Sequence, residues 1–177
     1  MTRIWGKSAV MLLAAVLLSS GCHLLIARYH DEKRKFSISL PRFWERDTDV
    51  NEAVAISVRE PLHGKNDKFQ ENINVTVTSA AEGAPVDIFY DINKEMAMKT
   101  LPGIKYDIVE DERYAGSEMG RSLSFTYIQE NLKLRITSVI WAKNSRVYVV
   151  TASCEADKYN HYKRIFNEAI SSLRLDK

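Results

Sequence analysis

The chain has 177 residues, of which 45% are hydrophobic and 27% are charged, as in an ordinary globular protein rather than a disordered or multi-pass membrane protein. This length accommodates a targeting segment and one domain with a hydrophobic core. The formal net charge is +2, and removal of residues 1–21 would leave 23 basic against 23 acidic residues. A neutral domain gives no electrostatic reason to expect a nucleic-acid partner, because such binding depends on neutralising phosphates.

The first 21 residues have the three parts of a bacterial secretion signal. A basic start with Arg3 and Lys7 is followed by the uncharged apolar run Ala9–Leu18 and by small residues before Cys22. The run is short for a membrane-spanning helix, which needs about 20 apolar residues. The pattern resembles the bacterial lipobox, although Ser19 stands where leucine is usual. We therefore expect a lipoprotein signal peptide over 1–21 and lipidation of Cys22; an ordinary cleaved signal and an uncleaved anchor are the alternatives.

Lipidation of Cys22 would place the protein on the periplasmic side of the cell envelope, because two or more acyl chains anchor a protein stably. His23 follows the cysteine, where enterobacterial sorting uses aspartate for inner-membrane retention, and this favours the outer membrane. Residues 22–35 are predicted to form the lipidated cysteine and a solvated tether, which would span about 45 Å if extended. The domain itself is predicted over residues 36–177.

Alternation of apolar and polar residues predicts three strands in the first part of the domain. The first predicted strand is Phe36–Leu40, which ends before Pro41, and the second is Val54–Val58, which is followed by Pro61. The third is Ile73–Val77, in which apolar residues alternate with asparagine and threonine. Each of these strands is expected to bury one face.

Between Pro85 and Leu101 the hydrophobic period changes to about 3.6 residues, which predicts a helix. Phe89, Ile92 and Met96 fall on one face of it, with Leu101 a further candidate, so this face is expected to be buried.

Four further strands and a second helix complete the predicted domain. The strands are Tyr106–Tyr114, Arg121–Ile128, Leu132–Ala142 and Arg146–Cys154, and the helix runs from Asp157 to Leu173. Lys143-Asn144-Ser145 is a plausible hairpin turn. The last strand is apolar on both faces, which indicates a central position. Hairpin-connected strands with few helices predict the α+β class, with helices packed on an antiparallel sheet.

Several segments resemble the PsbP-like and DcrB-like domains. They include Phe36-Ser37-Ile38-Ser39-Leu40-Pro41 followed by Trp44, Glu71–Val75, Gly120-Arg121, and the closing strand and helix around Val147–Ala152 and Ile170–Leu173. The resemblance covers nearly all of residues 36–175 in order and pattern, without a diagnostic motif. It implies an antiparallel β-sheet between helical layers, a PsbP-like α/β/α sandwich. It also implies a non-catalytic protein that binds another protein, as members of this superfamily mostly do.

The residues offer no catalytic set, metal site or cofactor motif. Cys154 would be the only thiol left beside the lipidated Cys22, and it is interpreted as a buried small hydrophobe rather than a nucleophile. His23, His30, His63 and His161 lack ligand spacing. Glu110-Asp111-Glu112 is interpreted as a solvated hairpin tip rather than a calcium site.

Aromatic residues are the remaining candidates for contact with a partner. Trp44, Trp141 and Tyr159 are singled out because tryptophan and tyrosine dominate interface energetics. Trp141 is out of phase with the apolar face of its strand, so it either meets the second helical layer in the core, which is favoured, or is exposed.

The sequence thus predicts a lipid-anchored accessory or adaptor protein of the cell envelope that binds another protein. Its lipid anchor would hold it at the membrane. The alternative is a periplasmic carrier of an apolar small molecule or lipid, which would require a void above about 300 Å³ between sheet and helix. An enzyme is the third hypothesis, and it would require titratable groups converging in one cleft.

Overall fold

The computed structural model describes residues 26–48, 50–65, 67–101, 103–106 and 112–176. These ranges contain eleven strands, two α-helices and one 3-10 turn. The strands are β1 (Ile26–Asp31), β2 (Phe36–Pro41), β3 (Glu45–Thr48), β4 (Val54–Arg59), β5 (Asn72–Ser79), β6 (Lys105–Tyr106), β7 (Glu112–Ala115), β8 (Glu118–Gln129), β9 (Leu132–Lys143), β10 (Arg146–Glu155) and β11 (Arg174–Leu175). The helices are α1 (Val86–Thr100) and α2 (Tyr159–Ser171), and the 3-10 turn Ala156–Lys158 leads into α2.

Eight strands form the main sheet, in the order β3-β4-β5-β10-β9-β8-β6, with β7 also paired to β8. All of its pairs are antiparallel. The predicted central position of β10 is confirmed, since it lies between β5 and β9. The predicted hairpin turn is confirmed as well: Asn144 and Ser145 have φ values of 49° and 57°, as a two-residue type I′ turn requires.

The two helices lie on opposite faces of the main sheet. On β10, Tyr148 and Val150 belong to the larger core with α2, whereas Val147 and Val149 belong to a second core with α1. Successive side chains of a strand point to opposite faces, so each face of β10 is covered by a different helix. Tyr90 of α1 packs in the second core.

A small sheet of β1, β2 and β11 lies on the α2 side. Phe36 and Leu40 of β2 share the larger core with Phe166 and Leu173, and the Phe36 ring meets Tyr148 edge-on at 6.2 Å. The predicted α+β class, with helices packed on an antiparallel sheet, is confirmed. The molecule is dominated by sheet, with one helix on each side, rather than two full helical layers around a single sheet.

The prediction of a solvated tether through Lys35 is wrong for residues 26–35. All six residues of β1 pair with β2, from Ile26↔Pro41 to Asp31↔Phe36. The Tyr29 ring packs against Phe36 at 5.9 Å, and Arg28 donates a hydrogen bond to Ser37 Oγ at 2.7 Å. The domain therefore includes Ile26, whereas the predicted signal peptide, Cys22 and His23 lie outside the described residues.

The buried face of α1 differs from the predicted one. Val86 and Tyr90 are its buried residues, whereas Ile92 and Met96, predicted to be buried, are exposed. Apolar residues cover more than half of the helix circumference, so the 3.6-residue period alone does not select the face that meets the sheet.

The predicted strand Tyr106–Tyr114 corresponds to β6 and β7 at its two ends. Its middle, residues 107–111, lies outside the described residues, and with it most of the predicted Glu110-Asp111-Glu112 tip. β3 and β11 were not predicted, because strands of four and two residues carry little periodicity. In the described ranges, neither helix has the length and apolarity needed to cross a membrane.

Candidate functional site

Two of the three aromatic residues predicted to contact a partner are buried. Trp141 has no exposed surface, and its indole Nε1–H donates a hydrogen bond to the Arg113 carbonyl at 3.2 Å. Trp44 is buried against Tyr162, with the rings edge-on at 6.3 Å. The interpretation of Trp141 as a core residue is confirmed, and neither tryptophan is placed to touch a partner. Tyr159 is half-buried at the start of α2 and stays a candidate contact.

Cys154 is a buried thiol, as the sequence predicts. It has no exposed surface, and burial raises the pKa of the thiol to about 12. The thiolate is the nucleophilic form of cysteine, so both burial and the raised pKa disfavour reaction of this side chain in the folded protein.

An ion-pair network lies near Cys154 and ties a loop to the start of α2. Lys158 Nζ lies 2.6 Å from Glu155, 3.3 Å from Asp67 and 3.3 Å from Glu71. Glu71 is buried, and desolvation raises the pKa of its carboxyl, whereas the hydrogen bond with Glu155 is the main reason that the pKa of Lys158 is raised. The network fixes residues 67–71 against the 3-10 turn, which is a structural role.

The described histidines lie apart from one another. His30 Nε2 is 2.9 Å from Asp176, and His63 Nε2 is 3.1 Å from Glu60. Within the described ranges, no three His, Cys, Asp or Glu side chains are grouped so that they could hold a metal ion.

The exposed side of α1 carries an apolar stripe, formed by Ile88, Ile92 and Met96. Their side chains are 51%, 47% and 59% exposed. A spacing of four residues places them one above the other on the helix surface. Large exposed apolar side chains that form one contiguous patch, unlike scattered ones, are typical of interaction sites. Two of these residues, Ile92 and Met96, are predicted from the sequence to lie in the core instead.

The helix that carries the α1 stripe is fixed to the sheet at its amino-terminal end. Arg121 of β8 lies over the Tyr90 ring at 5.1 Å and forms an ion pair with Asp87 at 3.3 Å. Further along, Asp91 and Glu95 border the stripe on one side, and Glu95 is paired with Lys99. The stripe is therefore an apolar surface on a helix that is held to the sheet, with charged side chains of both signs beside it.

The carrier hypothesis requires an apolar void between sheet and helix. The cavity between the main sheet and α2 has a volume of about 260 Å³, but its lining is polar and cationic. A larger groove of about 450 Å³ lies beside the amino-terminal end of α1, and the Lys143–Glu118 ion pair, at 3.4 Å, is part of its lining. Neither of these two spaces between described residues is an enclosed apolar void, so neither supports the carrier.

Comparison with solved structures places the fold among PsbP-like proteins. The solution structure of cyanobacterial PsbP (CyanoP) from Synechocystis sp. PCC 6803 is similar over 85% of this chain and 92% of its own, with a TM-score of 0.63 and 15% identity. LpqN of Mycobacterium tuberculosis, described as involved in cell envelope biogenesis, is similar over 88% and 92%, with a TM-score of 0.64 and 13% identity.

A third similar structure is PA94 of Pseudomonas aeruginosa, a protein of unknown function. The similarity covers 83% of this chain and 94% of that one, with a TM-score of 0.57 and 16% identity. No match is found among curated proteins. At these identities the structures share a fold, and the fold alone does not determine function.

The family model for PsbP matches residues 25–175, which includes β1 at one end and β11 at the other. The match spans both sheets and both helices, and it begins one residue before the first described strand. The chain therefore belongs to the PsbP family.

Proposed function

We propose that this PsbP-family chain is a lipid-anchored accessory or adaptor protein of the bacterial cell envelope, which binds another protein without catalysis. The observation that carries the proposal is the α1 stripe, an exposed apolar surface on a helix that is otherwise well fixed to the sheet. The anchor is Cys22, on the periplasmic side, with the outer membrane favoured over the inner.

The geometry supports an adaptor because anchor and stripe would face different ways. The chain enters the fold at β1, which pairs with β2 in the small sheet on the α2 side. α1 covers the opposite face of the main sheet. With Ile26 only four positions after Cys22, the link would span no more than about 14 Å. The body would therefore sit close to the bilayer, with the α1 stripe turned away from its point of attachment.

The residues beside the α1 stripe indicate what kind of partner fits it. Asp91 lies beside the stripe, whereas Glu95 is neutralised by its ion pair with Lys99, so apolar contact rather than charge would hold the partner. We therefore propose a protein partner that presents an apolar patch.

Site-specific photo-crosslinking in living cells tests the proposal. A photoreactive amino acid replaces Ile92 in the full chain, and a matched variant carries it at Asn160, which is exposed on α2. We expect a discrete crosslinked protein from position 92 that is absent at position 160. Ile88→Arg should weaken that product at least about fivefold, because it places a charged group opposite the partner's apolar patch.

Three outcomes would contradict the proposal. They are products common to positions 92 and 160, crosslinks to lipid alone, and a single product of twice the chain's own mass, which would indicate self-association instead of an adaptor.

A further inference from the structure

The turn between β2 and β3 presents an aromatic ring to its surroundings. Phe43 lies in this turn, and 72% of its side chain is exposed, the highest value among the large hydrophobic side chains that are exposed in the described ranges. Its neighbour Trp44 is buried against Tyr162 of α2. The turn is therefore held to the core by one aromatic residue while the adjacent one points outward.

The strand register places this turn beside the point at which the chain enters the fold. Ile26, the first residue of β1, pairs with Pro41, which ends β2 two positions before Phe43. The Ile26 side chain is itself 47% exposed. Because Cys22 stands only four positions before Ile26, a lipid on Cys22 would hold this end of the small sheet at the bilayer surface.

Cationic side chains flank the exposed ring. Arg42 precedes Phe43 and is exposed, and the exposed Arg46 donates a hydrogen bond to the carbonyl of the last residue of β2, at 3.3 Å. Glu45 is the one acidic residue in 42–46, which leaves this segment with a net positive charge, and the Asp47 that follows is paired with an arginine of β4. An apolar ring beside cations is typical of segments that lie in the bilayer interface.

We infer that the Phe43 turn, residues 42–44, is a second contact with the bilayer beside the lipid anchor. The Phe43 ring inserts at the boundary between headgroups and acyl chains, and Arg42 and Arg46 contact the phosphate groups of anionic lipids. The inference rests on the proposed attachment at Cys22.

A second contact would give the domain a fixed orientation on the membrane. A lipid on Cys22 alone leaves the domain free to rotate about its short link, whereas an additional contact at Phe43 restricts that rotation. The link itself contains Leu24 and Leu25, which add apolar side chains next to the anchor. Since α1 covers the opposite face of the main sheet from the small sheet, this orientation keeps the α1 stripe available to a protein partner.

Fluorescence quenching of the full lipidated chain in reconstituted vesicles tests the contact. The chain suits thiol labelling, because Cys22 would be blocked by its lipid and Cys154 is buried. Phe43→Cys carries an environment-sensitive fluorophore, and Lys33→Cys is the matched control, because Lys33 is exposed at the other end of the β1–β2 hairpin. The vesicles contain phosphatidylethanolamine, phosphatidylglycerol and a lipid that bears a nitroxide either in its acyl chain or on its headgroup.

We expect the acyl-chain nitroxide to quench the probe at position 43 at least about threefold more strongly than the probe at position 33. It should also quench position 43 more strongly than the headgroup nitroxide does, because insertion differs from mere proximity in depth. Arg42→Gln combined with Arg46→Gln should lower the quenching at position 43 about twofold in these vesicles and much less in phosphatidylcholine. An unchanged signal would overturn the role of the two arginines.

The outcomes separate this inference from the proposed anchor. Equal quenching at positions 43 and 33, or stronger quenching by the headgroup nitroxide, would overturn the contact if the lipidated chain stays on the vesicles. A chain that does not stay on them would overturn the anchor, and the contact with it. Photo-crosslinking from position 43 in living cells covers the remaining occupant: a discrete crosslinked protein there would contradict a turn that faces lipid.

Discussion

Gly120 and Trp141 face each other across β8 and β9, and the indole occupies the space that a side chain on the glycine would need. A Cβ placed on Gly120 would lie 2.6 Å from Cδ1 and 2.7 Å from Cε2 of the Trp141 ring. The two residues are direct partners in the antiparallel register. The glycine is therefore required by close approach, and it allows a fully buried tryptophan to reach the Arg113 carbonyl on β7.

Gly120→Ala should destabilise the protein by about 3 kcal/mol, because the added methyl group must displace a ring packed on all sides. Chemical denaturation followed by circular dichroism measures the change in the free energy of unfolding. In the background of Trp141→Phe, whose smaller ring leaves room, the same substitution should cost at least about 1 kcal/mol less. An equal cost in both backgrounds would show that the ring is not the reason for the glycine.

Cys154 should resist thiol reagents as long as the protein is folded. Its pKa of about 12, against an ordinary 9.0, lowers the thiolate fraction at pH 8 by roughly 1,000-fold. In a Cys22→Ser variant, which leaves Cys154 as the only cysteine, the reaction with Ellman's reagent should be correspondingly slow and should become fast in guanidinium. Rapid labelling of the folded protein would contradict a buried thiol.

Lys158→Met should destabilise the protein at pH 7 by about 2 kcal/mol. The substitution leaves the buried Glu71 without its countercharge, although solvent around the partly exposed lysine moderates the loss. Lys68→Met is the control, because Lys68 is exposed in the same loop. Glu71→Gln in the Lys158→Met background should recover part of the loss.

The stability difference between wild type and Lys158→Met should shrink at acidic pH. Burial raises the folded-state pKa of Glu71, so the penalty for its charge applies above that pKa and disappears below the unfolded value near 4.5. The favourable contribution of Asp67, whose pKa is lowered chiefly by a backbone hydrogen bond from His63, is lost only at still lower pH, below the ordinary value of 3.8. Unfolding free energies at pH 4 and pH 7 test this, and a difference that stays constant with pH would contradict it.

Removal of β1 should destabilise the domain by about 3 kcal/mol or more, because the Tyr29 ring and a whole strand pairing are lost. Chains beginning at residue 24 and at residue 36 are compared by thermal and chemical denaturation. Arg28→Ala in the longer chain separates the contribution of its contacts with Ser37 and Ser172. Equal stability of the two chains would mean that residues 26–31 are a tether after all.

The long strands could be predicted because their burial is local. β5 and β9 alternate apolar and polar residues, and β10 is apolar on both faces, which placed it in the centre of the sheet. β1 could not be predicted, because the side chains that it buries against β2 include a tyrosine and an aspartate rather than alternating aliphatic residues. The charged residues in and after this strand are also typical of a solvated spacer. The burial of β1 depends on residues that follow it in the chain.

The surfaces could be predicted less well than the strands, for two physical reasons. On α1, apolar residues occupy both the buried and the exposed side, so the α1 stripe becomes visible only once Tyr90 is seen to face the sheet. The cationic cavity unites Arg113, Arg135 and Lys163 from three elements that are far apart in sequence. No local spacing of residues in the sequence predicts such a cavity.

Lipid attachment at Cys22 carries the proposed adaptor function, since it is what would hold the α1 stripe at a membrane. Metabolic labelling with radioactive palmitate, followed by membrane fractionation, tests it most directly. We expect label in the full chain, recovery with the outer-membrane fraction, and loss of both in Cys22→Ala. Label that persists in Cys22→Ala, or a wild-type protein recovered unlabelled in the soluble fraction, would contradict the anchor and the adaptor role that depends on it.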